Sequence, residues 1–337
     1  LETLFAEPEI RENFGRLGGG TLIAWDGTEY FCSQKLGCSN CLTRKRSKDK
    51  TESYHCLLPA AVVAPGHSKV VPLMPEFIAP QDGAGKQDCE RNAAKRGFEA
   101  HHGRLAGPRP IFLGDDLFAC HPAGKMITAA GADFIFTRKP ASHKALYDFI
   151  DGAERFRHEE KARRRNTTDT FRYRWIEAVP IRDGEDALLV NWIDFQIIDA
   201  KGKPKYSMAW VTSLPVNTEN VAQIAARGRA RWKVENENFN VLKNHGYELE
   251  HNFGHGETFL AMTLAALNPL AFGWHGVLDI LEPPWKTARE AATKRTSFFA
   301  RMLTLTAYAV FPSWKVFLES LATFTIPPEL ITNRGGS

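Results

Sequence analysis

The chain has 337 residues, 43% apolar and 24% charged, enough for one large or two ordinary folded domains and unlike a disordered or low-complexity polymer. Its 43 basic and 39 acidic residues leave a formal charge of +4, which permits a polyanionic partner without marking one, so local basic clusters carry more information than the total. Six cysteines, with no leading apolar segment, fit a reducing cytoplasm better than a disulfide framework.

In chain order, residues 1–17 read as a helical lead-in, and Gly18, Gly19 and Gly20 break it. The apolar run TLIAWDG, Thr21 to Gly27, reads as a strand that ends in an acid and a turn, and TEYFCS, Thr28 to Ser33, as a second strand. A cysteine-bearing basic loop follows, with Arg44, Lys45, Arg46, Lys48 and Lys50, before a third strand from Leu57 to Ala64. Short connections between the three favour an antiparallel meander. Cys38, Cys41, His55 and Cys56 offer the donor types of a tetrahedral zinc site. Adjacent His55 and Cys56 would project to opposite faces of a strand, so the plainer reading is a reduced cysteine pair in a basic loop. Cys89 and Cys120 suit small apolar packing positions.

The segment from Ala84 to Gly97 has helical composition, and PIFLGDD (Pro110 to Asp116) and DFIFTR (Asp133 to Arg138) read as strands. From about Arg155 to Pro215 the pattern becomes β-rich, with strands at Phe171–Val179, Ala187–Ile198 and Ser207–Ser213 joined by Asp-Gly and Lys-Gly turns. This predicts an inserted antiparallel sheet. A second basic cluster, Lys161, Arg163, Arg164 and Arg165, lies just before it.

A long amphipathic helix is predicted from about Glu219 to Asn244, with Asn217 or Thr218 as N-cap, a stop near Gly246 and a possible break at Gly228. At ~100° per residue, Ile224, Arg231, Trp232, Glu235, Phe239 and Leu242 share one arc while Lys233, Glu237 and Asn240 lie opposite. An acid on a core-facing stripe is costly without a partner or a task, and Arg231 lies one turn before Glu235. Arg227, Arg229, Arg231 and Lys233 form the third basic cluster. The remainder, Glu257 to about Phe324, reads as helical, broken at Pro269, at Pro283 and Pro284, and at Pro312. Its apolar run from Phe259 to Ile280, interrupted by Asn268, Pro269 and His275, reads as a buried helix pair rather than a membrane span.

Asp26 and Asp115 each follow a predicted strand, and with Glu235 on a helix they make three carboxylates. Such a set suits two divalent cations that activate water and stabilise a leaving oxygen in phosphoryl transfer, with oxygen ligands favouring magnesium or manganese. The motifs WDGTE around Asp26, FLGDDLF around Asp115 and RWKVENENFNVLK around Glu235 resemble those of the DDE superfamily of bacterial insertion-sequence transposases. The resemblance spans about Thr21 to Tyr247 and implies a ribonuclease-H-like α/β fold: a mixed sheet flanked by helices, an inserted antiparallel β subdomain and a helical C-terminal region.

Domain boundaries on this reading are 1–154 for the first part of the catalytic domain, 155–215 for the insertion, 216–256 for the helix with the third acid and 257–337 for the C-terminal helices. The resemblance implies Asp26, Asp115 and Glu235 as a triad for two Mg²⁺ or Mn²⁺ ions, cleavage at transposon ends and transfer of the 3′-OH into target DNA. Double-stranded DNA would be the partner and a homodimer the acting form, in a bacterial cytoplasm. Arg231, Arg44, Lys45, Arg46 and Lys243 are the candidate phosphate contacts. An aromatic three residues after the second acid is part of the pattern, and Phe118 stands three after Asp115, which favours Asp115 over Asp116. One branch's Tyr-Arg-Glu-Lys signature is only half present, since Gly228 and Leu242 occupy its tyrosine and lysine positions and Lys243 is one step off. Two other readings are a DNA-binding relic without chemistry and a metallohydrolase using His101, His102, His251 and His255.

Overall fold

The computed structural model describes residues 6–15, 20–47, 50–80, 87–102, 109–164, 167–252 and 254–331. Parts of the predicted lead-in and of the Ala84–Gly97 helix, together with Lys48 and Arg165, lie outside these residues. The chain is mixed α/β, with a large mixed sheet flanked by helices.

Its centre is three short strands whose residues are all buried: β1 (Leu22–Trp25), β8 (Ile111–Gly114) and β9 (Asp133–Thr137). Strands covered on both faces read as continuous apolar runs, which is how LIAW, IFLG and DFIFT look in the sequence. β8 lies parallel to both β1 and β9. On the other side of β1 stand β5 (Ala60–Val63) and β6 (Val71–Pro72), each antiparallel to its neighbour.

The predicted meander is corrected. The expected third strand is two strands, β4 (Lys50–Leu58) and β5, which separate at Pro59 into different sheets. The second sheet contains β2 (Thr28–Ser33), β3 (Leu42–Ser47), β4 and β7 (Glu76–Ile78). The basic loop is therefore the β3–β4 hairpin, where Arg44 stands directly across from Glu52.

The β-rich segment forms four strands, β10 (Phe156–Arg164), β11 (Thr167–Pro180), β12 (Leu189–Ile198) and β13 (Pro204–Thr212). It does not form a separate sheet. β13 pairs antiparallel with β9, so the order runs β10-β11-β12-β13-β9-β8-β1-β5-β6 through nine strands.

Strand alternation divides the core in two. One face carries Leu22, Ala24, Leu113, Ile135, Phe195 and Trp210 against the long helical rod, and the other carries Ile23, Phe112, Phe134, Phe136 and Trp192. That second face is covered by α2 (Glu90–His101), α3 (His121–Ala129) and α4 (Lys144–Asp151). The helix α1 (Pro8–Gly15) buries Ile10 and Phe14 against Val62 and Val71.

The rod begins with α5 (Val221–Arg229), narrows to a 3₁₀ turn at Ala230–Trp232, widens to a π segment at Val234–Phe239 and ends in α6 (Asn240–Asn244). Asn217 Oδ1 accepts from the amides of Glu219 and Asn220, and Gly246 ends the rod at φ +94°. No break occurs at Gly228. The indole of Trp210 lies where a side chain there would sit, with a Cβ only 2.7 Å from it. Because the turn angle changes twice, Trp232 is 48% exposed instead of buried, while Val234 and Asn238 turn fully inward.

The C-terminal region is helical, with α7 (Leu260–Leu281), α8 (Pro283–Ala291), α9 (Arg295–Tyr308) and α10 (Trp314–Thr323). The expected helix pair at 259–280 is instead one helix that runs through Pro269. Buried Pro269 and Phe272 keep the helix packed despite the lost backbone hydrogen bond. Among the described residues, α7 is the one helix long and apolar enough to cross a membrane by length and composition. One of its faces packs on β6, where Gly273 lets Pro72 approach, and Tyr247 Oη meets His275 Nδ1 at 2.8 Å.

Candidate functional site

The parallel pairing of β1 and β8 sets the first two acids. Ala24 stands opposite Leu113, so continuing the register by two residues brings Asp26 beside Asp115 at the ends of adjacent strands. Asp26 Oδ1 accepts from the amide of Gly27 at 3.0 Å, and Asp115 Oδ1 accepts from the amide of Leu117 at 2.9 Å. Each carboxylate is thus held by its own turn, leaving a second oxygen for other partners.

The rod crosses these strand ends and supplies Arg231 and Glu235. Arg231 is 8% exposed and donates in two directions, through Nη1 to Asp26 Oδ2 at 2.7 Å and through Nη2 to Glu235 Oε1 at 2.7 Å. The guanidinium is therefore a bridge between a strand-end acid and the helix acid, more than the local pair that the i,i+4 spacing alone would give. The π segment starts beside it, and such insertions into helices recur at functional sites.

Burial pushes the Asp26 carboxyl up to about 7; Arg231 opposes this, and the charges of Glu235 and Asp115 add to it. A fourth acid, Glu90 at the start of α2, belongs to the same cluster. Burial raises its pKa and the charge of Asp115 raises it further. Gly27 makes room for it, since a Cβ at that position would sit 2.2 Å from Glu90 Oε1. Sequence reasoning passed over Glu90 because an acid in a first helical turn is ordinary dipole complementation. The Asp-Gly pair after β1 was the only available signal.

Asp116 faces elsewhere. Its Oδ1 accepts from the amide of Lys139 at 2.7 Å and lies 3.0 Å from His143 Nε2. Of the expected phosphate contacts, Arg44 is bound to both Glu29 and Glu52 and sits over the Tyr54 ring. Arg46 pairs with Glu52 at 2.8 Å, and Lys243 pairs with Glu250 at 2.7 Å while donating to Glu29 O at 2.9 Å. Lys45 on β3 is exposed.

A second group of polar side chains gathers at the far end of the small sheet. Cys38, Cys41, His55 and His255 bring their ligand atoms within 4.8 Å of one another and could hold a metal such as zinc. The expected fourth donor, Cys56, is corrected to His255. Strand alternation turns Cys56 to one face, where its Sγ contacts Leu57 O at 3.9 Å, and turns His55, itself buried, to the opposite face to meet the loop that follows α6. Of the other histidines, His102 stacks on Phe98 with ring centroids 4.9 Å apart. The sequence matches no protein-family model, and no curated protein is significantly similar to it.

Proposed function

We propose that this chain is a DDE-type transposase core that cuts double-stranded DNA at an element's ends and joins the freed 3′-OH to target DNA. The observation that supports the reading is the placement of Asp26 and Asp115 at the ends of adjacent parallel strands, with Glu235 bridged to Asp26 through Arg231. The strand order supports it. In β6-β5-β1-β8-β9 two strands antiparallel in succession are followed by two parallel to β1, a mixed arrangement compatible with the expected ribonuclease-H-like sheet.

The donor set fits hard divalent cations. The acids gathered around Arg231 offer oxygen ligands only, and the raised pKa values of Asp26 and Glu90 come first from burial and then from neighbouring carboxylates, both of which a bound cation would offset. Asp26, Asp115 and Glu235 would hold two Mg²⁺ or Mn²⁺ ions, which when bound supply activation of the attacking oxygen and stabilisation of the leaving one. The protein's own part is positional. The strand-end turns fix Asp26 and Asp115, and buried Arg231 fixes the rotamer of Glu235 and is placed to move onto a phosphate when DNA and cations arrive. Lys45, exposed on the β3–β4 hairpin, is available to add a phosphate contact.

The test is magnesium-dependent cleavage of a plasmid carrying the repeats that flank the coding sequence. Glu235→Gln should reduce cleavage by a factor of about 10³ or more, as for loss of a group acting in the transition state. Glu237→Gln should keep most of it. Equal loss in both variants would remove Glu235 from the chemistry, and DNA binding without cleavage by the unmodified chain would make it a binding protein.

A further inference from the structure

We propose that Cys38, Cys41, His55 and His255 bind one zinc ion as a closed, four-coordinate structural site. The separations among the four donor atoms carry the inference. Bonds of about 2.3 Å to sulfur and about 2.0–2.1 Å to nitrogen at tetrahedral angles place two sulfurs about 3.8 Å apart, sulfur and nitrogen about 3.5 Å and two nitrogens about 3.3 Å. Here Cys38 Sγ and Cys41 Sγ are 3.7 Å apart, each is 3.5 Å from His55 Nε2, and His55 Nε2 is 3.2 Å from His255 Nδ1. The sulfurs are much too far apart for a disulfide, whose S–S bond is about 2.05 Å.

The chemistry of the donors selects the ion. Two thiolates and two imidazoles form a soft set that favours zinc over magnesium or calcium, and two thiolate charges balance the dication. All four positions are filled by protein, which leaves no place for water and marks a structural site. The surroundings hold the donors in place. The Cys38 amide donates to Cys41 Sγ at 3.3 Å, His55 stacks on Tyr30 with centroids 5.4 Å apart, and His255 stands edge-on to Phe31 at 4.4 Å.

The consequence is long-range. His55 and His255 are 200 positions apart, so the ion would join the small sheet to the loop just past the rod that carries Glu235. A polar tie reinforces the junction where Asn40 Nδ2 donates to Thr258 O at 2.7 Å. Zinc here would fix the far end of the rod and hold the third acid in register with Asp26.

The experiment reads metal directly and needs no activity, so it fails or succeeds independently of the transposase reading. Protein purified from zinc-replete medium should contain one zinc per chain. After metal removal, one equivalent of cobalt(II) should give the intense ligand-field and thiolate charge-transfer bands of a tetrahedral sulfur–nitrogen site. Cys38→Ser and His255→Ala should lose the metal, and Cys56→Ser should retain it. Because ligand variants can misfold, X-ray absorption of the unmodified zinc protein supplies the second reading, with two sulfur and two nitrogen neighbours expected. Protein without zinc that gives only an octahedral cobalt spectrum would overturn the proposal, as would full metal retention by His255→Ala.

Discussion

At the scale of single residues, Asp26 makes a contribution to the pH dependence of stability that a single substitution can isolate. In the folded chain it keeps its proton up to about 7, against 3.8 when unperturbed. Between those values folded Asp26 binds more proton than unfolded Asp26, so its own contribution to metal-free stability falls as pH rises from about 4 to 7 and stays low above that, while His55 and His275, held down to about 4 by burial, contribute in the opposite sense. Asp26→Asn mimics the protonated acid and still offers an oxygen to Arg231. It should raise the stability of the metal-free protein at pH 8 by about 1 to 3 kcal/mol, flatten the pH dependence and abolish metal-dependent cleavage. Thermal denaturation of both proteins across this range checks it, and parallel pH profiles would show that burial of Asp26 is not the source. The sequence pointed to Asp26 and Asp115 as strand-end acids and to Glu235 by its i,i+4 spacing from Arg231, whose ion pair the structure contains. Glu90 was not readable, since its place depends on Gly27, a contact made across 63 residues of chain that no local pattern encodes.

Among the elements, the rod is the one whose geometry decides the site. Gly228 looks like a weakness by propensity, and alanine there would gain about 1 kcal/mol in an isolated helix. In the fold, the Trp210 indole occupies the space that a methyl would need, with contacts at 2.7 Å. Gly228→Ala should therefore destabilise the protein by about 1 to 3 kcal/mol through overpacking, the reverse of the propensity effect. It should also lower cleavage by displacing Arg231, one turn further on. A denaturation midpoint that rises in the variant would show that the rod can move away from the sheet. The same element shows where sequence reading stops. A fixed 100° step located Arg231, Phe239 and Leu242 correctly but buried Trp232 and set Glu235 apart from Glu237, although both glutamates are half-exposed, because it had no means of sensing the 3₁₀ and π segments. Strands β3 and β10 were missed for a different reason. Their charges are satisfied across the ladder, Arg44 by Glu52 and Glu159 by Arg172, so their alternation is of charge and not of hydrophobicity.

For the whole molecule, what matters is that the β-rich segment β10–β13 is part of the main sheet and shares its core. Three residue pairs, Trp210 with Thr137, Val211 with Phe136 and Thr212 with Ile135, join β13 to β9. Turns and alternation in the sequence marked the β-rich segment, but edge pairing between segments some 70 residues apart leaves no periodic trace. On one face Trp175 and Phe195 belong to the cluster that contains Leu22 and Ile224, and on the other Trp192 belongs with Ile23 and Phe112. Neither face has an apolar gap at the junction, so strands β10 to β13 should unfold together with β1 to β9 in one transition. Trp192, 3% exposed, tests this. Trp192→Ala should cost about 3 to 5 kcal/mol, and because the core is continuous the loss should appear equally in the amides of β1, β8 and β12. Native-state hydrogen exchange measures the three strands separately. Loss of protection confined to β10–β13, with β1 and β8 still at full protection, would mean that the insertion folds as a unit of its own and that the bond between β13 and β9 is a docking contact.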